Sequence, residues 1–396
     1  MSDWQEASLA DLADYINGRA IKPEECSAGP GMPVIRIKQI NDPQTIDDCF
    51  CGDNLDEKNI VRNGDLLFSW SATLKTIQWQ GPAGAINQHI FKVMPRPGID
   101  KTFLHYLIDN SIPALAEESH GSTMKHIKKS ALSAFHLRIP PLPEQKKIAE
   151  ILSGIDNLIK MIDIKILKLK IAIAEVFRDV FSDFSPTEEE AVFPQDISKS
   201  IKTLPLESVC EAVVDCKNRT PPYVDQGYPV IRTPNVRNGR LVIADLRYTD
   251  EESYQIWTAR SVPRPMDILF TREAPLGEAC LIPNGFRCCL GQRMMLFRAN
   301  KSLLDPQYLL YAMMSTFVQE QLGKSKGGTT VGHARVADIR KIKIPILPME
   351  KQLQIAFLLA SINSCLQQTI EKKKKMQVKK NALASDLLSG RKRVST

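Results

Sequence analysis

Residues 144–182, EQKKIAEILSGIDNLIKMIDIKILKLKIAIAEVFRDVFS, carry an aliphatic side chain at every position of a heptad seam. The seam residues are separated alternately by four and three positions, and they are Ile148, Leu152, Ile155, Ile159, Ile162, Ile166, Leu169, Ile173, Val176 and Val180. This spacing is typical of a coiled-coil helix rather than a generic amphipathic one. At about 1.5 Å per residue, the predicted helix is about 58 Å long.

A second copy of this helix follows 207 residues later, because residues 121–182 match residues 328–389 without a gap. The match pairs Gln145 with Gln352. The corresponding seam positions in the second copy are Ile355, Leu359, Ile362, Leu366, Thr369, Lys373, Met376, Lys380, Leu383 and Leu387. Seven of these ten positions are apolar, so the second seam is poorer in its middle.

The segments before the two helices also repeat, although their spacing drifts. GMPVIR at 31–36 recurs as GYPVIR at 227–232, an offset of 196, and DLLF at 65–68 recurs as DILF at 267–270, an offset of 202. Loops tolerate such insertions and a long helix does not. Short β-rich runs, such as AINQHIFKV at 85–93, alternate with Gly, Pro and Asn, which predicts a sheet with irregular loops.

The repeat predicts an α+β fold made by tandem duplication, with pseudo-two-fold symmetry. We expect a β-rich domain at 1–143, a long helix at 144–183, a linker at 184–204, a second β-rich domain at 205–347, a second long helix at 348–390 and a basic tail at 391–396.

A long apolar seam needs a partner, and the second helix of the same chain supplies a matched one at high effective concentration. We therefore expect the two helices to pair as an antiparallel coiled coil that holds the β-rich domains at opposite ends, as a spacer of fixed length. Homodimerisation through the same seam is the alternative.

Composition restricts the classes of protein to which the chain can belong. Of its 396 residues, 43% are hydrophobic and 24% are charged, which excludes wholesale disorder. The first residues lack the basic and apolar regions of a signal peptide, and no run is long and apolar enough for a membrane span, so we expect a cytoplasmic protein. The net charge of +7 arises within residues 371–396, where nine residues are basic and two acidic. Net charge alone is therefore no argument for DNA binding.

Nine cysteines are scattered along the chain without a C-x-x-C pair. This spacing disfavours a structural zinc ion, so no metal site is expected. Scattered thiols are typical of small buried apolar residues in a reducing cell.

Three motifs make the chain resemble one known family. They are PLPEQK at 141–146 with the helix that it opens, GDLLF at 64–68, and TPPY at 220–223 followed by GYPVI at 227–231. In this order, repeated over nearly the whole chain, they resemble the DNA specificity (S) subunit of a type I restriction-modification system. The second copy departs from the motifs where Met266 replaces a glycine and where MEKQ at 349–352 aligns with LPEQ at 142–145.

The resemblance implies that the β-rich domains are target recognition domains, each reading one half of a bipartite, asymmetric site in double-stranded DNA. It implies that the helices set the gap between the halves and dock two methylation (M) subunits, which flip and methylate an adenine. Restriction (R) subunits complete such a complex. S-adenosylmethionine, ATP and Mg²⁺ belong to partner subunits, so this chain is expected to hold no cofactor and to catalyse nothing. A specificity subunit of a related system that cuts on both sides of its site would have nearly the same sequence.

Residues that could contact DNA are those whose side chains can donate to base edges or phosphates from predicted loops. The candidates are Arg36, Lys38, Lys75, Gln88, Lys125 and His126 in the first half, and Arg232, Asn235, Arg237, Arg272, Gln292, Arg293, Lys326 and His333 in the second. The two histidines recur at the repeat offset, each shortly after a Gly-Thr loop, GST at 121–123 or GTT at 328–330. There they could contact DNA or cap the following helix.

TPPY at 220–223 also resembles the Asn/Asp-Pro-Pro-Tyr loop of amino-methyltransferases. That loop needs a carbonyl or carboxylate at its first position, and threonine offers only a hydroxyl. No glycine-rich phosphate or adenosine loop accompanies it, so the motif predicts a proline-fixed turn. Two further hypotheses stay open: a methyltransferase or nuclease that recognises DNA by itself, and a non-catalytic coiled-coil scaffold.

Overall fold

The computed structural model describes residues 4–27, 31–42, 45, 47–52, 55–117, 126–181, 202–217, 219–324 and 334–395. The chain divides into two compact units. Unit 1 comprises Met1–Ile164 and Ile370–Thr396, and unit 2 comprises Lys165–Thr369. Each unit therefore contains one β-rich region together with a part of each long helix.

The first copy of the repeat contains eleven strands and five α-helices among its described residues. The strands are β1 (Gln5–Ser8), β2 (Ala13–Asn17), β3 (Cys26–Ser27), β4 (Met32–Ile35), β5 (Cys49–Phe50), β6 (Ile60–Val61), β7 (Leu66–Ser69), β8 (Lys75–Gln78), β9 (Gly84–Ile86), β10 (Ile90–Pro95) and β11 (His136–Ile139). The helices are α1 (Leu9–Leu12), α2 (Ile37–Asn41), α3 (Lys101–Glu117), α4 (Lys129–Ala134) and the long α5 (Leu142–Phe181).

The second copy has the same plan with some additions. Its described strands are β12 (Lys202–Pro205), β13 (Cys210–Asp215), β14 (Tyr228–Ile231), β15 (Val236–Arg237), β16 (Arg240–Leu241), β17 (Arg247–Thr249), β18 (Ile268–Thr271), β19 (Ala279–Leu281), β20 (Cys289–Leu290), β21 (Met294–Ala299) and β22 (Lys343–Ile346). Its helices are α6 (Leu206–Val209), α7 (Glu251–Thr258), α8 (Pro306–Met314), α9 (Thr316–Lys324), α10 (Val336–Arg340) and the long α11 (Met349–Leu388).

Strand order confirms the α+β fold and the duplication. The main sheet of unit 1 has the order β2-β10-β7-β8, and that of unit 2 has the equivalent order β13-β21-β18-β19. Among the strands that the structure describes, each unit also has one parallel pair, β4 with β9 and β14 with β20. The predicted run at 85–93 is not one strand, because residues 87–89 form a turn between β9 and β10.

A buried glutamine fixes the start of each long helix to its own unit. Gln145 accepts a hydrogen bond from the amide of Asp100 at 2.8 Å, and Gln352 accepts one from the amide of Asp305 at 2.8 Å. Both glutamines are almost fully buried, and each donates to the carbonyl five positions before it. A buried amide is stable only when its donors and acceptors are satisfied, so this position requires glutamine chemistry in both copies.

The core of each unit joins the sheet to both long helices. In unit 1, Ile148 of α5 and Leu387 of α11 belong to the same buried cluster as Phe68 and Phe103. In unit 2, Phe181 of α5 and Leu359 of α11 belong to the buried cluster that contains Phe270, Phe297 and Tyr308. Burial of aliphatic and aromatic surface on this scale is the main stabilising contribution to each unit.

The cysteine prediction is correct for part of the chain. The buried thiols are Cys216, Cys280, Cys288 and Cys289, and burial raises the pKa of the Cys280 and Cys289 thiols to about 12. Cys51 contradicts the prediction because it is exposed, one residue beyond the two-residue strand β5. Among the described residues, no helix combines the length and apolar character needed to cross a membrane.

Candidate functional site

The candidate residues of each unit surround one turn, which leads into β10 in unit 1 and into β21 in unit 2. In unit 1 the turn comprises residues 87–89, and the amide of Asn87 donates to the carbonyl of Ile35 at 3.0 Å. In unit 2 the turn comprises residues 291–293, and the amide of Gly291 donates to the carbonyl of Ile231 at 2.8 Å. These bonds continue the parallel strand pairs, so the residues after β4 and β14 lie beside the turns.

A second loop contacts this turn, and it directly follows β7 in unit 1 and β18 in unit 2. The amide of Trp70 donates to the carbonyl of His89 at 3.3 Å, and the amide of Arg272 donates to the carbonyl of Arg293 at 2.9 Å. The carbonyls of Trp70 and Arg272 accept hydrogen bonds of 2.9 and 3.2 Å from the segments that follow residues 125 and 333. Three chain segments therefore meet at an equivalent place in each unit.

In unit 1 the meeting point is aromatic. The ring of Trp70 lies 5.6 Å from that of His89 and 5.9 Å from that of His126, between ring centroids. The buried atoms Trp70 Nε1 and His89 Nδ1 have no hydrogen-bond partner among the described residues. Gln88 is exposed on the turn, and Lys75 is half-buried in β8, directly across from the last residue of β7.

In unit 2 the meeting point is basic. Arg272 is only 8% exposed, and its Nε has no hydrogen-bond partner among the described residues. Arg293 is exposed on the turn, with Nε 3.3 Å from Oε1 of Glu273. Gln292 is exposed beside it. The structure therefore brings Arg272, Gln292 and Arg293 together.

Arg36 and Arg232 occupy equivalent positions directly after β4 and β14. Nη2 of Arg36 lies 3.0 Å from Oδ2 of Asp48, and Nη2 of Arg232 lies 3.2 Å from Oδ2 of Asp245. Lys38 follows Arg36 in α2 and forms an exposed ion pair with Asp47 at 2.8 Å. The paired carboxylates hold the cationic side chains in place.

Two candidates of unit 2 use their side chains within their own loop. Asn235 is 1% exposed, accepts from the amide of Arg232 at 3.1 Å and donates to the carbonyl of Val242 at 3.1 Å. Arg237 donates from Nη1 to the carbonyls of Thr233 and Val236. Both side chains shape the loop that carries Arg232, and we leave them out of the proposed contacts.

Of the histidine and lysine candidates beside the Gly-Thr loops, the structure describes one, His126. Lys125, Lys326 and His333 lie outside the described residues. His126 forms an isolated β-bridge with Ser71. It does not cap the following helix α4, because the N-cap position of that helix is Lys128.

The TPPY motif lies in an irregular segment of unit 2. Residues 220–223 have no regular secondary structure, and the carbonyl of Pro222 accepts from Thr249 Oγ1 at 2.8 Å. Across the described residues, no group of three or more His, Cys, Asp or Glu side chains is placed to hold a metal ion.

Sequence reasoning missed Trp70, His89 and Glu273. The internal repeat contained a signal for the first two, since the second residue after the DLLF or DILF motif is Trp70 in one copy and Arg272 in the other. Likewise, NQH at 87–89 aligns with GQR at 291–293. Positions that are equivalent in the two copies but carry different residues are candidates for determining what each unit binds.

Within unit 1 the long helices pair antiparallel. Ile148, Leu152 and Ile159 of α5 are buried, while Ile155 and Ile162 are half-buried. Two ion pairs connect the helices: Lys380 Nζ to Asp156 Oδ1 and Lys373 Nζ to Asp163 Oδ1, each at 2.6 Å. Asp156 precedes Asp163 along α5, whereas the partner of Asp156 follows the partner of Asp163 along α11. The two helices therefore run antiparallel here, as the sequence predicted for a pair within one chain.

Within unit 2, parts of the two long helices also share one core. Ile173, Val176 and Val180 of α5 pack against the buried cluster to which Leu359 of α11 belongs, and Ile355 packs against that cluster too. Leu366 is also buried, and Ile166, Leu169 and Ile362 are half-buried. The last two predicted seam positions of α11, Leu383 and Leu387, belong to unit 1 and contact its core.

Comparison with protein families gives one clear match. Residues 1–170 and 199–380 match the model of a family described as the type I restriction modification DNA specificity domain. The two matched segments correspond to the two copies of the repeat and cover most of the chain.

Individual relatives have the same description. The chain is 24% identical to the specificity subunit of the type I restriction enzyme MjaVIII of Methanocaldococcus jannaschii, covering 99% of this chain and 93% of that one. It is 22% identical to the EcoBI specificity subunit of Escherichia coli, covering 89% and 77%. The solved S subunit of a type I restriction-modification system from M. genitalium has a similar fold, with a TM-score of 0.61 at 13% identity, covering 98% of this chain and 96% of that chain.

Proposed function

Because the chain belongs to the type I restriction modification DNA specificity family, we propose that it selects the DNA sequence on which a type I restriction-modification complex acts. One observation carries this proposal. Both units hold the same three segments with the same backbone hydrogen bonds, while the side chains presented there differ. The same arrangement of backbone segments, carrying different side chains in the two units, is suited to the recognition of two different half-sites.

The substrate of this proposal is double-stranded DNA with a bipartite, asymmetric site. Each unit reads one half, and the antiparallel helices set the gap, since half-site spacing follows from protein geometry. The proposed contacts are Arg36, Lys38, Lys75, Gln88 and His126 in unit 1, and Arg232, Arg272, Gln292 and Arg293 in unit 2. Lys125, Lys326 and His333 stay candidates from the sequence alone.

The proposed partners are two methylation subunits and restriction subunits, acting with this chain in the cytoplasm. In unit 1, large apolar side chains are exposed along α5 at Leu158, Met161 and Ile164. Exposed apolar residues grouped on one helix mark a protein interaction surface, and we assign this one to a methylation subunit. S-adenosylmethionine, ATP and Mg²⁺ are proposed to act on the partner subunits, and this chain supplies sequence selection without catalysis.

The test is a map of methylated adenines in host genomic DNA with the gene intact and with the gene deleted. A second map replaces residues 205–347 with the corresponding domain of another specificity subunit. We expect deletion to remove one bipartite motif and the replacement to change only one of its halves.

If deletion leaves every methylated motif in place and the chain purifies without methylation subunits, the proposal is wrong and a coiled-coil scaffold becomes the better description. Purified chain that methylates or cuts DNA by itself would contradict the non-catalytic assignment.

A further inference from the structure

The two units differ in side chains at two positions of a shared backbone frame. Trp70 in unit 1 corresponds to Arg272 in unit 2, and His89 corresponds to Arg293. The amide of the first residue of each pair donates to the carbonyl of the second, at 3.3 Å in unit 1 and 2.9 Å in unit 2. The two units thus share this backbone hydrogen bond, while the side chains that flank it differ.

The arginine that both units share serves as an internal reference. Arg36 and Arg232 follow the equivalent strands β4 and β14, and each forms an ion pair with an aspartate. A feature present in both units suits a task common to both half-sites, such as contact with the phosphate backbone. Recognition that differs between the two half-sites requires residues that differ between the two units. Arg272 and Arg293 are such residues.

Arg272 is held as a preorganised donor. Its backbone is fixed on both sides, by hydrogen bonds from its amide and to its carbonyl. Its side chain is 8% exposed, and the buried Nε has no hydrogen-bond partner among the described residues. A guanidinium that is largely buried without its full set of acceptors is unfavourable in the unbound protein.

Arg293 stands beside it on the turn, in a fixed and unusual conformation. Its φ is +73°, in the left-handed region that non-glycine residues rarely adopt. Its Nε lies 3.3 Å from Oε1 of Glu273, while its side chain stays about half exposed. The ion pair orients the guanidinium without burying it.

We propose that Arg272 and Arg293 recognise guanine in the half-site read by unit 2. The forked donors of arginine match the O6 and N7 acceptors that guanine presents in the major groove. In unit 1 the equivalent residues are Trp70 and His89, so the equivalent base pair of the other half-site is read without arginine. This inference rests on the proposed function and specifies the chemistry of one half-site.

The experiment compares methylation motifs in cells that contain the complete complex with wild-type chain, with Arg272→Gln or with Arg293→Gln. Glutamine pairs with adenine rather than guanine. We expect a G·C position in the half-site assigned to residues 205–347 to become degenerate or to shift toward A·T. Discrimination at that position should fall about 5- to 150-fold, with the gap and the other half-site unchanged.

Arg260→Gln is the matched control. Arg260 is an exposed arginine of the same unit, paired with Asp215 at 2.6 Å, and it is not one of the proposed DNA contacts. It should leave the motif unchanged. Because Arg272 is buried, its variant is first checked by co-purification with the methylation subunits, and the exposed Arg293 provides the second, independent variant.

Two results would overturn the inference. One is a half-site for residues 205–347 that contains no G·C pair. The other is an unchanged motif with methylation lowered uniformly at all sites, which would make both arginines phosphate contacts. Failure of the proposed function is distinguishable, because the wild-type chain itself would then specify no bipartite motif.

Discussion

Glu144 shows how a single buried charge connects distant parts of the chain in unit 1. Arg393 donates to both of its carboxylate oxygens at 2.8 Å, and Trp4 Nε1 donates at 3.1 Å. The side chain of Glu144 is 5% exposed. The hydrogen bonds from Arg393, followed by that from Trp4, lower the pKa of Glu144 below its usual value in spite of its burial. The basic tail predicted at 391–396 is therefore in part a structural element of unit 1.

We expect Arg393→Ala to lower the free energy of unfolding by about 1–3 kcal/mol at pH 7, because a buried carboxylate loses its charged partner. A carboxyl with a lowered pKa adds stability above its unfolded value, near pH 4.3, and loses that contribution as pH falls through its folded pKa. The difference between variant and wild type should therefore shrink as pH falls from 5 to 3. Chemical denaturation over this range measures it.

Arg391→Ala is the control for this variant, because Arg391 forms an exposed pair with Asp386 at 3.1 Å. Exposed pairs contribute about 0–1 kcal/mol. Equal losses in the two variants, or a loss at Arg393 that does not change with pH, would contradict the assignment.

Met266 shows that a departure from a sequence motif need not change the structure. It has a φ of +69°, and Gly64 at the equivalent position has +88°. Its amide donates to Ile282 at 3.0 Å, as the amide of Gly64 donates to Trp79 at 2.7 Å. A non-glycine residue in this region costs roughly 1–2 kcal/mol, which the surrounding hydrogen bonds of the turn must offset.

Residue type alone identified part of the candidate site. Arg272, Gln292 and Arg293 were chosen as donors, and the structure places them together. Asn235 and Arg237 were chosen for the same reason, yet their donors bind carbonyls of their own loop. The sequence pattern does not distinguish these cases, because the direction of a loop side chain depends on contacts that the local sequence does not encode.

At the scale of single elements, the polar positions of the second seam find partners on the first helix. Lys373 and Lys380 pair with Asp163 and Asp156, and the hydroxyl of Tyr106 donates to Asp156 at 2.7 Å. Polar seam residues with specific partners fix register and direction, as buried polar groups do in other coiled coils. The count of apolar heptad positions predicted a weak seam here, because it does not include the two aspartates. They lie next to seam positions and, in the sequence, resemble ordinary surface residues.

Two double variants on α5 separate the seam from the exposed face. Ile159→Lys with Ile162→Lys places charges in the buried seam and should destabilise the chain by about 3 kcal/mol or more while the β-rich regions stay folded. Met161→Lys with Ile164→Lys changes side chains that are 66% and 54% exposed, so stability should stay nearly unchanged. Thermal unfolding measures both.

Co-purification with the methylation subunits completes this comparison. The seam variant should lose the complex because the helix pair is disrupted, and the exposed-face variant should lose it because the proposed contact surface is charged. Complex formation that survives the seam change would rule out the spacer model, and survival of the exposed-face change would move the docking surface elsewhere.

At the scale of the whole molecule, the duplication was predictable because the long helices repeat at a constant offset. The offset rises from 196 to 202 between the two earlier motifs, so the second copy has six more residues there. This stretch contains β17 and α7, and the resulting sheet has the order β17-β14-β20 instead of the five-stranded β3-β5-β4-β9-β6 of unit 1. Drift of the offset located the divergent region, but short strands with different neighbours could not be predicted from local patterns.

If the paired helices set the gap, lengthening both should lengthen the gap alone. The change repeats residues 159–165 after Lys165 and residues 370–376 after Met376, which keeps the heptad spacing and gives each copy of Asp163 a copy of Lys373 as partner. Seven helical residues add about 10.5 Å, or about three base pairs at roughly 3.4 Å each. The methylation map should show both half-sites unchanged and a gap longer by about three base pairs. The same heptad inserted into the predicted linker at 184–204 should leave the gap as it was, and a gap that changes with the linker rather than with the helices would show that the helices do not measure the distance.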